Sequence, residues 1–248
     1  MAPQTKRLTH TTAPARAAAS LASDWDDRVE SWEQVADTPA FQRLAAAVVE
    51  RAAPAPDDRV VDLGAGTGLL ALALAPDVGS VVAVDASAAM LARLDEKMLA
   101  APLGNVEPLV ADLRSLPLAD ETATLVVSNY AFHHLDDRSK ALALGEARRV
   151  LVPGGRLVVC DMMFSLSLAP RDRAIIAAKL RLLARRGPAG VLRIVGNGWR
   201  LARGRWEHPA PPSRWQEMLG ERHFVDIELE LLEAEAGLVV ARRPERTP

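Results

Sequence analysis

Apolar positions along the chain follow two rhythms. From Asp24, the residues Trp25, Val29 and Trp32 recur four and three apart, a helical period. A second helix is expected from Pro39 to Arg51, with Thr38 as its cap ahead of a first-turn proline. Past Pro54 and Pro56 the pattern changes. Short β-branched runs at Arg59–Leu63, Ser80–Asp85, Asn105–Val110, Ala123–Ser128 and Arg156–Asp161 alternate with Ala/Leu-rich helical stretches near 67–75, 87–100 and 138–150. Strands that are apolar on both faces, each followed by a helix, predict a parallel sheet with right-handed crossovers. Phe224–Leu231 and Gly237–Arg242 predict two closing strands, an antiparallel edge pair. Between Met162 and His223, helical stretches near 170–186 and 189–203 form a connection too long for a simple crossover, so a lid is expected there.

Composition narrows the picture. The 248 residues are 49% apolar and 25% charged, which excludes wholesale disorder. No uncharged apolar run approaches the roughly 20 residues of a membrane span. A single cysteine, Cys160, can build neither a disulfide framework nor a cysteine zinc site, so a reducing, cytoplasmic setting is expected. No Asp/Glu/His ligand cluster stands out, and no metal is expected. Residues 1–23 carry no acid and read as a flexible arm, although such a composition also fits a transit peptide. The organisation expected is this arm, N-terminal helices over 24–56, a core over 57–162, a helical insert over 163–212, and a closing helix with edge strands over 213–248.

The net charge of −2 hides an asymmetry. Ten Lys/Arg against one acid, Asp172, fall between Arg171 and Arg205. Ile176, Leu180 and Leu183 form one helical stripe there, with Arg171, Arg173, Lys179, Arg181, Arg185 and Arg186 on the other positions, and Trp199 and Trp206 flank further arginines. Two readings stand side by side: a lid whose arginines face solvent or pair with the acidic body, and a peripheral surface for anionic lipid. Nucleic acid is not expected as a partner, since the remainder of the chain is acidic and contains no recognised binding module.

The chemistry concentrates where strands end. Val60-Val61-Asp62-Leu63-Gly64-Ala65-Gly66-Thr67-Gly68 runs from a buried strand through a glycine loop into a helix. Glycine suits a backbone that turns sharply or approaches a ligand, and the helix N-terminus adds free N–H groups. The spacing is G-x-G-x-G rather than the nicotinamide G-x-G-x-x-G, with Leu69 beyond it. A carboxylate just before the loop would repel a pyrophosphate and suits a ligand that carries an ammonium, which favours S-adenosylmethionine over a dinucleotide. Asp85 ends the next strand, where a carboxylate can accept both ribose hydroxyls or cap the following helix. Asp112 and Leu113 follow strand three. Ser128-Asn129-Tyr130-Ala131-Phe132-His133-His134 follows strand four and brings polar and aromatic groups to the reactive end. A Pro153-Gly154-Gly155 turn precedes strand five.

In this order and at these spacings, residues 57–162 resemble a class I S-adenosylmethionine-dependent methyltransferase, of the group with ubiquinone/menaquinone and small-molecule methyltransferases. The fold this implies is α/β: a Rossmann-like, doubly wound, mostly parallel seven-stranded sheet with an antiparallel last strand, N-terminal helices and a helical lid insert. The resemblance implies that Asp62, Gly64, Ala65 and Gly66 hold the methionine part of S-adenosylmethionine. It gives Asp85 and Ala86 the ribose, Asp112 and Leu113 the adenine, and Ser128 and Asn129 the amino-acid end. Trp25, Trp32 and parts of 163–212 would build the pocket for a small-molecule or lipid-like acceptor.

In-line methyl transfer asks mainly for positioning at about 3–3.5 Å with water excluded. A general base is needed only where the acceptor holds its proton. His133 and His134 are the candidates, and adjacency means that at most one faces the site. Tyr130, the only tyrosine, is a candidate to orient the acceptor. The alternatives kept open are a membrane-surface quinone-precursor or phospholipid methyltransferase, a non-catalytic cofactor-binding module, and a nicotinamide oxidoreductase.

Overall fold

A computed structural model describes residues 25–101, 103–165, 167, 169–185, 187 and 207–246. The expected arm, the second lid helix near 189–203, Trp199 and Trp206 lie outside the described residues. Helices α1 (Val29–Ala36) and α2 (Pro39–Ala52) precede the sheet, and the Thr38 hydroxyl caps α2 by accepting the Phe41 N–H. Then come β1 (Arg59–Leu63), α3 (Leu69–Leu74), β2 (Ser80–Asp85), α4 (Ala88–Ala100), β3 (Val106–Val110), β4 (Ala123–Asn129), α5 (Asp137–Val150) and β5 (Leu151–Met162). The chain continues through α6 (Pro170–Ala184), α7 (Pro212–Glu221), β6 (Val225–Leu231) and β7 (Ala236–Arg242).

The strands form one sheet in the order β3-β2-β1-β4-β5-β7-β6. β1 to β5 run parallel, and β7 is antiparallel to both its neighbours. This is the doubly wound, Rossmann-like sheet with an antiparallel last strand. The order reverses between β1 and β4, and the cleft that opens at such a switch point is where the carboxyl ends of strands diverge. Alternation along the central strands divides the core. Val61 and Leu63 face α5 and α7 with Leu144, Leu157 and Trp215, whereas Val60 faces α2 and α3 with Val48 and Leu70.

The closing strands form the expected antiparallel pair at the edge of the sheet, with β7 between β5 and β6. Two local expectations are revised. The Pro-Gly-Gly turn is embedded in β5, which pairs with β4 at Leu151 and again from Arg156 after a register shift. Gly154 at φ +75° takes the left-handed bend, and a Cβ on Gly155 would lie 2.8 Å from the Val152 carbonyl oxygen. On α6 the stripe is rotated from the expected one. Ile175 is buried against Met162 and Phe164, while Leu180 is 44% exposed. The helix is fixed from its first turn, where Asp172 accepts from the Ser165 and Ser167 hydroxyls and Arg171 donates to the carbonyls of Met163, Ala234 and Ala236.

Trp215 is fully buried and packs on Phe132 at 5.5 Å between ring centroids, tying α7 to the turn after β4. Trp215→Ala is expected to cost about 3–5 kcal/mol in urea unfolding. A loss below about 1 kcal/mol would mean that α7 is not part of the cooperative core.

Candidate active site

The glycine loop is curled by the end of β2. The Val84 carbonyl accepts from both Gly64 and Ala65 N–H (2.8 and 2.9 Å), and Asp85 Oδ2 accepts from Gly66 N–H at 2.8 Å. The other Asp85 oxygen accepts from Ser87 N–H at 2.9 Å, and the Ser87 hydroxyl caps α4 through Met90 N–H. Gly64, Gly66 and Gly68 all have positive φ, and a Cβ on Gly64 would overlap that of Ala131 at 2.2 Å. Only glycine satisfies both demands at position 64. The result is a cleft of about 720 Å³, including its solvent-open mouth, at the carboxyl ends of β1, β2 and β4.

Of the expected cofactor residues, Gly64, Gly66, Asp85, Ala86, Asp112 and Leu113 line this cleft together. Four others do not line it. Asp62 shares the face of Val60, beneath α3, and caps that helix by accepting Ala71 N–H at 3.1 Å. Ala65 packs into the core, and the Ser128 hydroxyl donates to the Leu63 carbonyl at 2.6 Å. Asn129 is 8% exposed, and its Oδ1 has no hydrogen-bond partner among the described residues. Asp112 is gripped on both oxygens by Arg114 (2.7–3.0 Å). Burial pushes the Asp112 carboxyl up, but the Arg114 hydrogen bonds outweigh it and hold the group below the usual range.

The two acids nearest the loop behave differently from Asp112. Burial pushes Asp62 up to about 7, with a further rise from the charge of Asp85. Burial also raises Asp85, against the three backbone N–H groups that it accepts.

The far end of the cleft is aromatic. Six rings touch in a closed circuit, Trp25–Trp32–Phe41–Tyr130–His133–His134 and back to Trp25, at centroid distances of 3.9–5.9 Å. Trp25, Trp32, Tyr130 and His134 face the cleft, joined by Met90, Ala131 and Leu135, three residues the sequence did not single out. Tyr130 reaches this position through a left-handed backbone (φ 55°), uncommon for a side-chain-bearing residue and characteristic of functional turns. Burial and nearby carboxylates keep its phenol protonated, so it donates. Burial, with the neighbouring His133, holds His134 well below the ordinary imidazole value, so it is neutral at pH 7.

The paired histidines do part company, as adjacency predicts. His133 lies behind His134 with its Nδ1 2.7 Å from Asp161 Oδ1. Asp161, read from the sequence only as a strand residue, also accepts from the backbone N–H groups of Phe132, His133 and Met162. An acceptor-only carboxylate assigns the proton to Nδ1 and leaves Nε2 as an acceptor. The same turn is bolted to the end of the insert. Lys140, fully buried, donates to the carbonyls of Leu135 and His208 (both 2.5 Å), and His208 N–H donates to the His133 carbonyl.

A methyltransferase-domain family model matches residues 60–155. Over 116 residues the chain is 34% identical to arsenite methyltransferase of Halobacterium salinarum, covering 45% of this chain and 29% of that protein. It is 36% identical over 115 residues to demethylmenaquinone methyltransferase of Clavibacter sepedonicus, covering 46% of this chain and 45% of that protein. The match to the ubiquinone/menaquinone biosynthesis C-methyltransferase UbiE of Teredinibacter turnerae is 36% over 117 residues, 46% of each. Residues 60–155 are thus similar to a methyltransferase domain. S-adenosylmethionine is the cofactor that goes with this methyltransferase core. The chain spans less than half the length of these three curated relatives. Among solved structures, a SAM-dependent methyltransferase from Aquifex aeolicus superposes with a TM-score of 0.59 at 20% identity, covering 88% of this chain and 98% of that one. The [4+2]-cyclase SpnF superposes at 0.70 with 16% identity, covering 92% and 97%. Likeness at these identities establishes the fold alone.

The Asp62 value generates a test. Its folded value near 7 lies above the ordinary 3.8, so between these the folded protein holds a proton that the unfolded chain has released. Stability on its account therefore falls as pH rises from about 4 to about 7, by on the order of 4 kcal/mol at most. Asp62→Asn retains an acceptor for Ala71 N–H and stays neutral. It is expected to be more stable than the parent above pH 7, with the gap closing toward pH 4 in denaturant titrations; a gap independent of pH would refute the assignment.

Proposed function

We propose that the protein transfers a methyl group from S-adenosylmethionine to a small, uncharged, ring-bearing acceptor seated among Trp25, Trp32, Tyr130 and His134. The observation that carries this reading is one continuous cleft, with the glycine loop and Asp85 at one end and the aromatic circuit at the other. The residues present fit the cofactor. Its amino-acid part has a glycine cradle in which a Cβ on Gly66 would meet Trp32 at 3.0 Å. Asp85 sits at the strand tip, where a carboxylate can accept ribose hydroxyls, and Asp112 and Leu113 flank the space for the base.

When bound, the cofactor supplies an already activated methyl on its sulfonium. The chain then has to orient the acceptor and exclude water. The four rings that line this end offer flat walls, and stacking geometry selects a planar acceptor over a flexible chain. Among the described residues that line the cleft, the ionisable groups at the acceptor end are a neutral imidazole and a protonated phenol, which supports an uncharged acceptor. Where the acceptor carries a proton to lose, His133 takes it at Nε2, with Asp161 fixing the ring and stabilising the charged form. Tyr130, which lines the cleft and whose ring contacts that of His133 at 5.6 Å, stands between His133 and the acceptor. His134, the weaker base, orients the acceptor by hydrogen bonding.

The cofactor half is tested by calorimetry with S-adenosylhomocysteine. Asp85→Ala is expected to weaken binding by roughly 1–3 kcal/mol, and absence of any binding by the parent protein would remove the reading. The acceptor half is tested by transfer of labelled methyl to a panel of phenols, quinols and amines. With the best acceptor, His133→Ala and Asp161→Asn should each lower turnover by about 10²–10⁴-fold while sparing S-adenosylhomocysteine affinity. His134→Ala should act mainly on KM. Full turnover in His133→Ala would retire it as the base.

A further inference from the structure

Trp32 stands outside the stretch that the family model matches, on a helix that precedes the sheet. Its indole Nε1 is buried and has no hydrogen-bond partner among the described residues. An indole nitrogen is a donor only, and a buried donor without an acceptor is destabilising, so its place calls for an acceptor that the described residues do not supply. The atom lies 3.0 Å from where a side chain on Gly66 would begin, and both residues line the cleft. It therefore hangs directly over the glycine loop.

The placement is enforced by the next residue. Glu33 accepts from Lys97 Nζ at 2.5 Å and from Arg93 Nε at 2.7 Å. The same Lys97 ammonium donates to the carbonyl and hydroxyl of Thr67 within the glycine loop, both at 3.1 Å. Seven residues earlier, Asp26 accepts from the Ser87 hydroxyl at 2.6 Å, at the N-terminus of α4. The helix carrying Trp32 is thus fastened to the loop it covers.

A ligand group beside the loop, within reach of an unpaired donor, has to be an acceptor. The cofactor's hydroxyls and base lie toward Asp85 and Asp112 in the reading above, which leaves one strong acceptor for the loop end, its α-carboxylate. We infer that Trp32 is a cofactor-recognition residue, whose indole N–H donates to the carboxylate of the amino-acid part of S-adenosylmethionine. The Lys97–Glu33 pair positions the helix that delivers it. This inference rests on the cofactor reading of the cleft.

The test compares S-adenosylmethionine with its decarboxylated form, which keeps the sulfonium, amine, ribose and adenine, by calorimetry on the full chain. Trp32→Phe keeps a ring and loses the donor. It is expected to bind S-adenosylmethionine about tenfold more weakly and the decarboxylated form within twofold of the parent. Glu33→Gln, which loosens the helix and keeps the indole, should cut the same preference partway. Equal losses toward both ligands in Trp32→Phe would reduce the indole to packing and overturn the proposal, as would no loss toward either. A parent protein that binds neither ligand defeats the cofactor reading itself, and this inference with it.

Discussion

The site depends on one junction, the meeting of the glycine loop with the end of β2. A loop with three positive-φ glycines has little conformational preference of its own, and ordering it is costly. Here its N–H groups are claimed in turn by the Val84 carbonyl and the Asp85 carboxylate. Because β1 and β2 pair in parallel from Arg59–Ser80 to Leu63–Val84, those acceptors arrive at the loop in fixed register. One strand tip thus folds the loop and also presents the carboxylate that faces the cleft. A group that performs both tasks cannot be replaced without disturbing the other.

What the sequence made legible follows from distance along the chain. The alternation of strands and helices, the G-x-G-x-G loop and the acid at the tip of β2 are local patterns, and the structure brings Gly64, Gly66, Asp85 and Ala86 to one cleft. Asp62 shows how a motif position can be located correctly while its side chain points elsewhere. The twofold alternation of β1, with Val61 and Leu63 on one face, puts Asp62 with Val60 under α3. That argument was available from periodicity alone. The Asp161–His133 pair was not available, since its members lie 28 residues apart and Asp161 follows the apolar run Leu157–Cys160 of its strand. Only the β4–β5 register, which opposes Asn129 and Cys160, makes them neighbours.

Charge patterning proved a poorer guide than hydrophobic patterning. Within the described part of the basic stretch, Arg171 is spent on three carbonyls and Lys179 pairs with Glu235 at 2.8 Å. Both tie α6 to the ends of β5 and β7. Counting charges cannot distinguish such carbonyl-satisfying arginines from a free basic face, because the acceptors are backbone groups invisible to composition. No helix among the described residues is long and apolar enough to cross a membrane.

The cap and the core meet in the aromatic circuit, and this explains why the core alone does not name an acceptor. Trp25, Trp32 and Phe41 come from the N-terminal segment, whereas Tyr130, His133 and His134 come from the turn after β4. The turn is held by Asp161 on one side and by Lys140 with His208 on the other, so its rings are preorganised by the core and by the end of the insert together. A ring circuit closes only when both contributors are in place, because removing either leaves edges without partners. Two chains could share every residue of the glycine loop and still differ in what they accept, through substitutions confined to the N-terminal helices. The sheet fixes where a cofactor lies, and the segments laid over it decide which chemistry that cofactor meets.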